Sequence, residues 1–211
     1  MFGERLPLAV RYAEHLASTG VEYGLLGPRE VPRLWPRHVL NCAVLTDLIG
    51  PGAHVADLGS GSGLPGIALA VRRADLFVVL IEPLLRRAQW LRAVVDDLGL
   101  EQVQVRRARA DELAGEVAVP VVVARAVAPL DRLAAWALPL LTPGGELLAM
   151  KGQSAREEVE RTCAAVRKAG ATSTQILSVG ADLLLEPVTV VRVTTSGARD
   201  KGARGRRPVT R

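Results

Sequence analysis

Aromatic side chains are scarce: Phe, Trp and Tyr together make up 3% of the 211 residues. That excludes a surface that reads single-stranded RNA by stacking base after base on exposed rings. Cysteine is scarcer still. Cys42 and Cys163 stand far apart with no metal-ligand spacing, so a disulfide framework and a zinc site are excluded, no metal is expected, and two reduced structural thiols are. No apolar run approaches the roughly 18 residues a membrane helix needs. The opening residues MFGERLPLAVRYAEH carry charges on both sides of a short apolar stretch, unlike the layout of a signal peptide. A cytoplasmic protein without a membrane partner is the expectation.

Apolar residues are abundant, at 49%, and the net charge is +5. The excess charge gathers at the end, where RDKGARGRRPVTR from Arg199 holds six Lys/Arg against one Asp. This stretch has no apolar periodicity, so a disordered tail over 197–211 is expected, able to condense onto phosphates or simply to aid solubility.

Residues 1–50 read as a helical extension. In LPLAVRYAEHLAST the apolar residues Leu6, Val10, Ala13 and Leu16 recur at helical spacing, and Gly20 is expected to end that helix. RLWPRHVLNCAVLTDLIG puts Val39, Leu40, Val44, Leu45 and Leu48 on one helical face. From 51 to 196 the pattern turns to strands alternating with helices. HVADLG, LFVVLIE, QVQVRRA, VPVVVARAV and PGGELLAMK read as strands, and TQILSVG with EPVTVVRVTT as an antiparallel pair at the sheet edge. LPGIALAVRRA, LLRRAQWLRAVVDDLGL, a segment from about Leu130 to Leu141 and AREEVERTCAAVRKAG read as helices. The fold class is therefore α/β, a doubly wound, mostly parallel seven-stranded sheet. In such sheets ligands bind at the carboxyl ends of the strands.

Four glycines crowd that end of the first strand in VADLGSGSGLPGIAL. Gly61, Gly63 and Gly66 spell G-x-G-x-x-G, a weak signal by itself that suits a nicotinamide dinucleotide or another adenosine ligand. Asp57 discriminates between them. A carboxylate at the strand tip repels a pyrophosphate and attracts an ammonium or sulfonium, although it can also serve only to cap the loop amides. Pro65 removes one of the N–H donors a pyrophosphate would use. Glu82, ending the second strand, can accept from ribose hydroxyls. Asp111, after the third strand, can accept from an adenine amino group beside the Ala110 backbone, or it can belong to the start of a short helix.

LGSGSGLPGI, RRAQWLRAVVDDLGL, RRARADEL, ARAVAPL and LLAMKGQ, with WPRHVLNC upstream, together resemble the RsmG (GidB) family of bacterial ribosomal RNA methyltransferases over roughly Leu34 to Gln153. The resemblance implies a class I, Rossmann-like methyltransferase fold and S-adenosyl-L-methionine as cofactor. It implies methylation of N7 of a guanine in 16S ribosomal RNA. The basic tail and the few aromatics add the expectation that an assembling small subunit presents the base. Carried over by motif, the cofactor contacts are Gly59 and Leu64 of the loop, Ala110 and Asp111 after the third strand, and Arg125 after the fourth. Gly61, Gly63, Asp57 and Glu82 join them from the residue chemistry. Glu82 stands where some members of that family vary, and the strongly basic tail departs from a compact family ending.

Guanine N7 carries an exposed lone pair, so its methylation needs alignment and no general base. No catalytic residue is therefore singled out. Arg125, Lys151 and His38 are positioning candidates, Arg125 and Lys151 as partners for phosphate or carboxylate. Arg86 and Arg87 can face RNA or merely solvent. A cytosine-C5 enzyme would need an activated thiolate, and neither cysteine has an evident activator. Two other readings stand beside this one: an NAD(P)-dependent oxidoreductase, resting on the glycine spacing, and a noncatalytic RNA-binding protein, resting on the tail. A monomer is the favoured state.

Overall fold

Along each central strand successive side chains enter opposite layers of core. Val55, Val78, Leu80, Val121, Val123 and Leu148 join one buried cluster. Ala56, Leu58, Ile81, Val122, Ala124, Leu147 and Ala149 join the other. A strand buried on both faces needs helices on both sides of the sheet, and the computed structural model, which describes residues 1–197, has them.

The chain opens with helices α1 (Leu6–Ala17), α2 (Thr19–Glu22) and α3 (Leu40–Ala43). Then follow β1 (His54–Leu58), α4 (Gly66–Arg72), β2 (Phe77–Ile81), α5 (Leu85–Asp97), β3 (Val103–Arg106) and β4 (Val119–Arg125). The last elements are α6 (Leu130–Ala137), β5 (Leu141–Lys151), α7 (Ala155–Lys168), β6 (Ala171–Val179) and β7 (Val188–Thr195). The sheet order is β3-β2-β1-β4-β5-β7-β6. The first five strands run parallel, while β7 lies antiparallel to both β5 and β6. The expected α/β sheet is borne out. The order reverses between β1 and β4, and the loops after those strands meet at the reversal.

Several local expectations need correction. Helix α1 buries Ala9, Tyr12, Ala13 and Leu16, whereas Leu6 and Val10 are exposed. The inward stripe is rotated because Tyr12 fills the space beneath the glycine loop. Gly20 does not end α1; the chain breaks at Ser18, and Gly20 lies inside α2. A Cβ there would sit 3.2 Å from the His15 carbonyl oxygen and 3.6 Å from the Trp90 ring, so close packing accounts for the glycine. The second expected helix is three short pieces: a wide π-type turn over Trp35–Val39, then α3, then a 3-10 turn over Val44–Leu48. Helix α6 stops at Ala137 and continues as a 3-10 turn to Leu140, so Leu141 belongs to β5. No helix among the described residues is long and apolar enough to cross a membrane. The basic stretch from Arg199 lies outside the described residues.

Candidate functional site

The register of β1 against β2 pairs Asp57 with Leu80 and Leu58 with Ile81. The chain then turns sharply. The Gly59 and Ser60 N–H groups both donate to the Ile81 carbonyl, at 2.9 and 3.1 Å. Gly59, Gly61 and Gly63 all take positive φ. At Gly63, with φ +82°, a Cβ would also lie 2.7 Å from Ile67 Cγ1, so no other residue fits that turn.

Asp57 and Glu82 are the only buried charged residues among those described, and they hold this loop from two sides. Glu82 Oε2 accepts from the Gly61 N–H at 3.0 Å, and Oε1 accepts from the Leu84 N–H at 2.9 Å. Asp57 Oδ2 accepts from the Gly66 N–H at 3.0 Å, while Oδ1 is buried without a partner. Burial pushes the Asp57 carboxyl up to about 7, against the pull of the Gly66 N–H and helped by repulsion from Glu82. One oxygen does the capping that the competing reading assigned to it, and the charge is not freely offered to the crevice.

Tyr12 carries no functional signal in the sequence. It is fully buried, and its hydroxyl donates to the Ser62 carbonyl at 2.8 Å. Arg5 Nε donates to the Val71 carbonyl at 2.7 Å, and Arg11 and His15 both bind Asp97 of α5. Helix α1 is therefore clamped to the loop, to α4 and to α5. Only a helical face that includes position 12 could have revealed this.

Leu64 is buried within the loop and Ala110 is nearly so. Asp111 is exposed and opens a 3-10 turn (Asp111–Leu113) for which Ala110 is the preceding residue. Asp111 Oδ1 lies 3.2 Å from Arg109 Nε, and the short-helix reading holds alongside the ligand one. Arg86 rests over the Tyr23 ring at 4.6 Å.

Arg125 ends β4 and turns to the N-terminal segment. Its Nη2 donates to His38 Nδ1 at 2.6 Å and to the Arg37 carbonyl at 3.2 Å, and Nη1 reaches Cys42 Sγ at 3.4 Å. His38 Nε2 lies 2.9 Å from Glu30 Oε2. Burial pushes the Cys42 thiol up to about 11, opposed by Arg125. That is the reverse of an activated nucleophile.

Lys151, a phosphate candidate by sequence, is drawn into an internal ion pair. Its Nζ is committed to the Ala128 carbonyl and to Glu158 Oε1, both at 2.9 Å, and Glu158 Oε1 also accepts from the Leu130 N–H at 2.7 Å. The side chains of Lys151 and Glu158 are only 13% and 14% exposed. Lys151→Ala is expected to lower stability by about 2–4 kcal/mol, because it strands a nearly buried carboxylate. It should leave the salt dependence of RNA binding unchanged. Thermal melts and binding titrations at several salt concentrations check both.

The strand order, the bare loop and two buried acids describe a crevice for a small ligand, and the comparisons with known proteins say of which kind. Residues 5–185 match the family model described as rRNA small subunit methyltransferase G. The chain belongs to the GidB family. A "Ribosomal RNA small subunit methyltransferase G" from Pseudarthrobacter chlorophenolicus is 55% identical over 95% of this chain and 93% of its own length. The protein of that name from Streptomyces coelicolor is 57% identical over 92% and 81%. Among solved structures, the apo form of the S-adenosylmethionine-dependent methyltransferase SibL superimposes with a TM-score of 0.61 at 19% identity, covering 79% of this chain and 57% of that one. A methyltransferase from Pyrococcus furiosus gives 0.56 at 14% identity, over 72% and 80%. These structural likenesses concern the fold. Family membership sides with methyl transfer over the oxidoreductase and noncatalytic readings.

Proposed function

We propose that this chain transfers the methyl group of S-adenosyl-L-methionine to N7 of a guanine in 16S ribosomal RNA, presented by an assembling small subunit. The single observation that carries the reading is the match of residues 5–185 to the GidB family, centred on the crevice just described.

The residues present fit the cofactor. The loop from Gly59 to Leu64 bares its backbone at Gly59, Gly61 and Gly63, and the partnerless Oδ1 of Asp57 is a buried acceptor that a cationic donor, or a water bound to one, would satisfy. Glu82 has lone pairs beyond the two used by Gly61 and Leu84, enough for ribose hydroxyls. Ala110 and Asp111 would border the adenine. Arg125 keeps Nε and one Nη1 hydrogen for an anionic oxygen.

When bound, the cofactor supplies an electrophilic methyl on positive sulfur. The guanine N7 lone pair forms the new C–N bond while the C–S electron pair returns to sulfur. No proton need leave first, so the chain's residues only align the reactants and exclude water. That agrees with a site whose buried thiol, Cys42, is not activated.

Mapping modified nucleosides in 16S ribosomal RNA from cells lacking the protein tests the reading. One N7-methylguanosine should vanish and return on complementation. Unchanged modification would overturn it. Purified protein should also methylate small-subunit particles better than short unstructured RNA, since few aromatics are available to hold a loose base.

A further inference from the structure

Arg125 is a permanent cation, half-buried, with no direct carboxylate partner among the described residues. Its neighbours on the N-terminal segment are a carbonyl, a thiol and an imidazole. Both hydrogens of Nη2 are committed to Arg37 O and His38 Nδ1. A carboxylate, Glu30, stands one imidazole further on.

Because Arg125 can only donate, His38 Nδ1 must be the bare nitrogen, and Nε2 must carry the hydrogen given to Glu30. The tautomer is fixed by both partners at once. The π-type turn at Trp35–Val39 places His38, with a side chain only 12% exposed, between them. The same turn buries Val39 and sets Trp35 against Phe2, so its packing fixes where His38 stands.

We propose that Glu30 and His38 are positioning residues for methyl transfer: as a relay they hold the Arg125 guanidinium so that its remaining N–H groups meet an anionic oxygen of the bound reactants, and only the neutral imidazole can do so. That oxygen belongs either to the cofactor's carboxylate or to an RNA phosphate. The inference rests on the functional reading above.

The groups around the imidazole set the sign of its pH response. Glu30, Arg33 and Arg37 face it from its own segment and Arg125 from β4. Behind the guanidinium stand Cys42 of α3, Tyr12 of α1 and Asp57 of β1. Burial holds the His38 pKa below its ordinary 6.5; the Glu30 bond opposes this, and Arg125 and Arg37 add to the lowering. Protonation removes the acceptor and sets two cations against each other, so activity is lost as pH falls through that lowered value.

The test compares kcat and KM for both substrates between pH 5 and 8 in wild type, His38→Ala, His38→Asn and Glu30→Gln. Binding of S-adenosylhomocysteine at pH 8 and thermal melting report whether each variant is folded. His38→Ala should lose about ten- to a hundredfold in kcat/KM at pH 8. His38→Asn, whose amide oxygen can take the place of Nδ1, should regain most of that and show no acid limb in kcat, the protonation of Asp57 entering only through KM for S-adenosylmethionine. Glu30→Gln should move the acid limb to lower pH, because the charge favouring the protonated ring is gone. A KM rise for S-adenosylmethionine alone assigns the oxygen to its carboxylate, and one for RNA alone to phosphate; either supports the relay. If His38→Ala does not fold, the other two variants decide. Wild-type constants and an unaltered acid limb in His38→Asn and Glu30→Gln would overturn the relay while leaving the function standing, whereas a wild-type protein unable to methylate 16S ribosomal RNA would overturn the function itself.

Discussion

Gly66→Ala is expected to melt roughly 10 °C below the wild-type protein and to bind S-adenosylmethionine too weakly to measure. By helix propensity alone the change should help, since alanine is preferred to glycine by about 1 kcal/mol inside a helix. Packing reverses the sign. The added Cβ would collide with Leu80 Cδ2, and it would stand 2.7 Å from Asp57 Oδ2 and 2.9 Å from Asp57 Cβ. Leu80 and Asp57 are fully buried on adjacent paired strands, so neither can withdraw. Helix α4 must lift, and the Asp57–Gly66 hydrogen bond opens with it. Overpacking of this kind costs about 2–4 kcal/mol with the lost bond included, which gives the stated melting shift for a domain of this size. Gly61→Ala is the control. Its Cβ would meet nothing nearer than the Gly59 carbonyl oxygen at 3.8 Å, leaving about 1–2 kcal/mol of backbone strain at φ +54°. Melting curves of both variants check the contrast, and calorimetric titration of Gly66→Ala checks the lost binding. Equal behaviour of the two would show that conformation, not contact, rules the loop.

Asp57→Asn should make the ligand-free protein more stable above pH 7 and a poorer cofactor binder. The folded protein holds the Asp57 proton up to about 7, whereas an unfolded chain releases it near the ordinary 3.8. The native state therefore binds more protons between those values. Stability is fully present below 3.8 and falls as pH rises through 7. The upward shift of about three units corresponds to about 4 kcal/mol lost at pH 8. Asparagine has no charge to bury and can still accept from Gly66, so the variant should melt several degrees higher at pH 8, with the gap closing toward pH 4. Affinity for S-adenosylmethionine should fall about tenfold with the lost charge. A variant less stable at pH 8, or one with unchanged affinity, would refute the account of Asp57 as a strained acceptor held ready for a cation.

The alternating pattern of the sheet was legible in the sequence because β-branched runs such as FVVLI and VPVVVAR have few other structures open to them. Helix α5 was equally plain, with Ala88, Leu91, Val95 and Leu98 buried as the spacing required and Gly99 at φ +61° closing it. Leu84, at the same spacing, is exposed because it precedes the helix. The N-terminal segment is less legible. Its pieces are short, and their conformation is dictated by contacts with residues dozens of positions away, which no local window contains. The same holds for the side chains of the site. Spacing placed Asp57, Glu82 and Arg125 near one crevice, but not that Asp57 would cap Gly66, that Glu82 would grip Gly61 or that Lys151 would be spent on Glu158. Hydrogen-bond partners are chosen by the folded backbone.

The clamp on α1 has a consequence for the order in which this molecule can be assembled. Tyr12 waits for Ser62, Arg5 for Val71, and Arg11 for Asp97. During synthesis the first helix emerges with its apolar stripe bare and finds its last anchor only after some eighty further residues have left the ribosome. Contacts so distant along the chain form late. The glycine turn, which takes the Tyr12 hydroxyl on its underside, is thus among the last parts to settle.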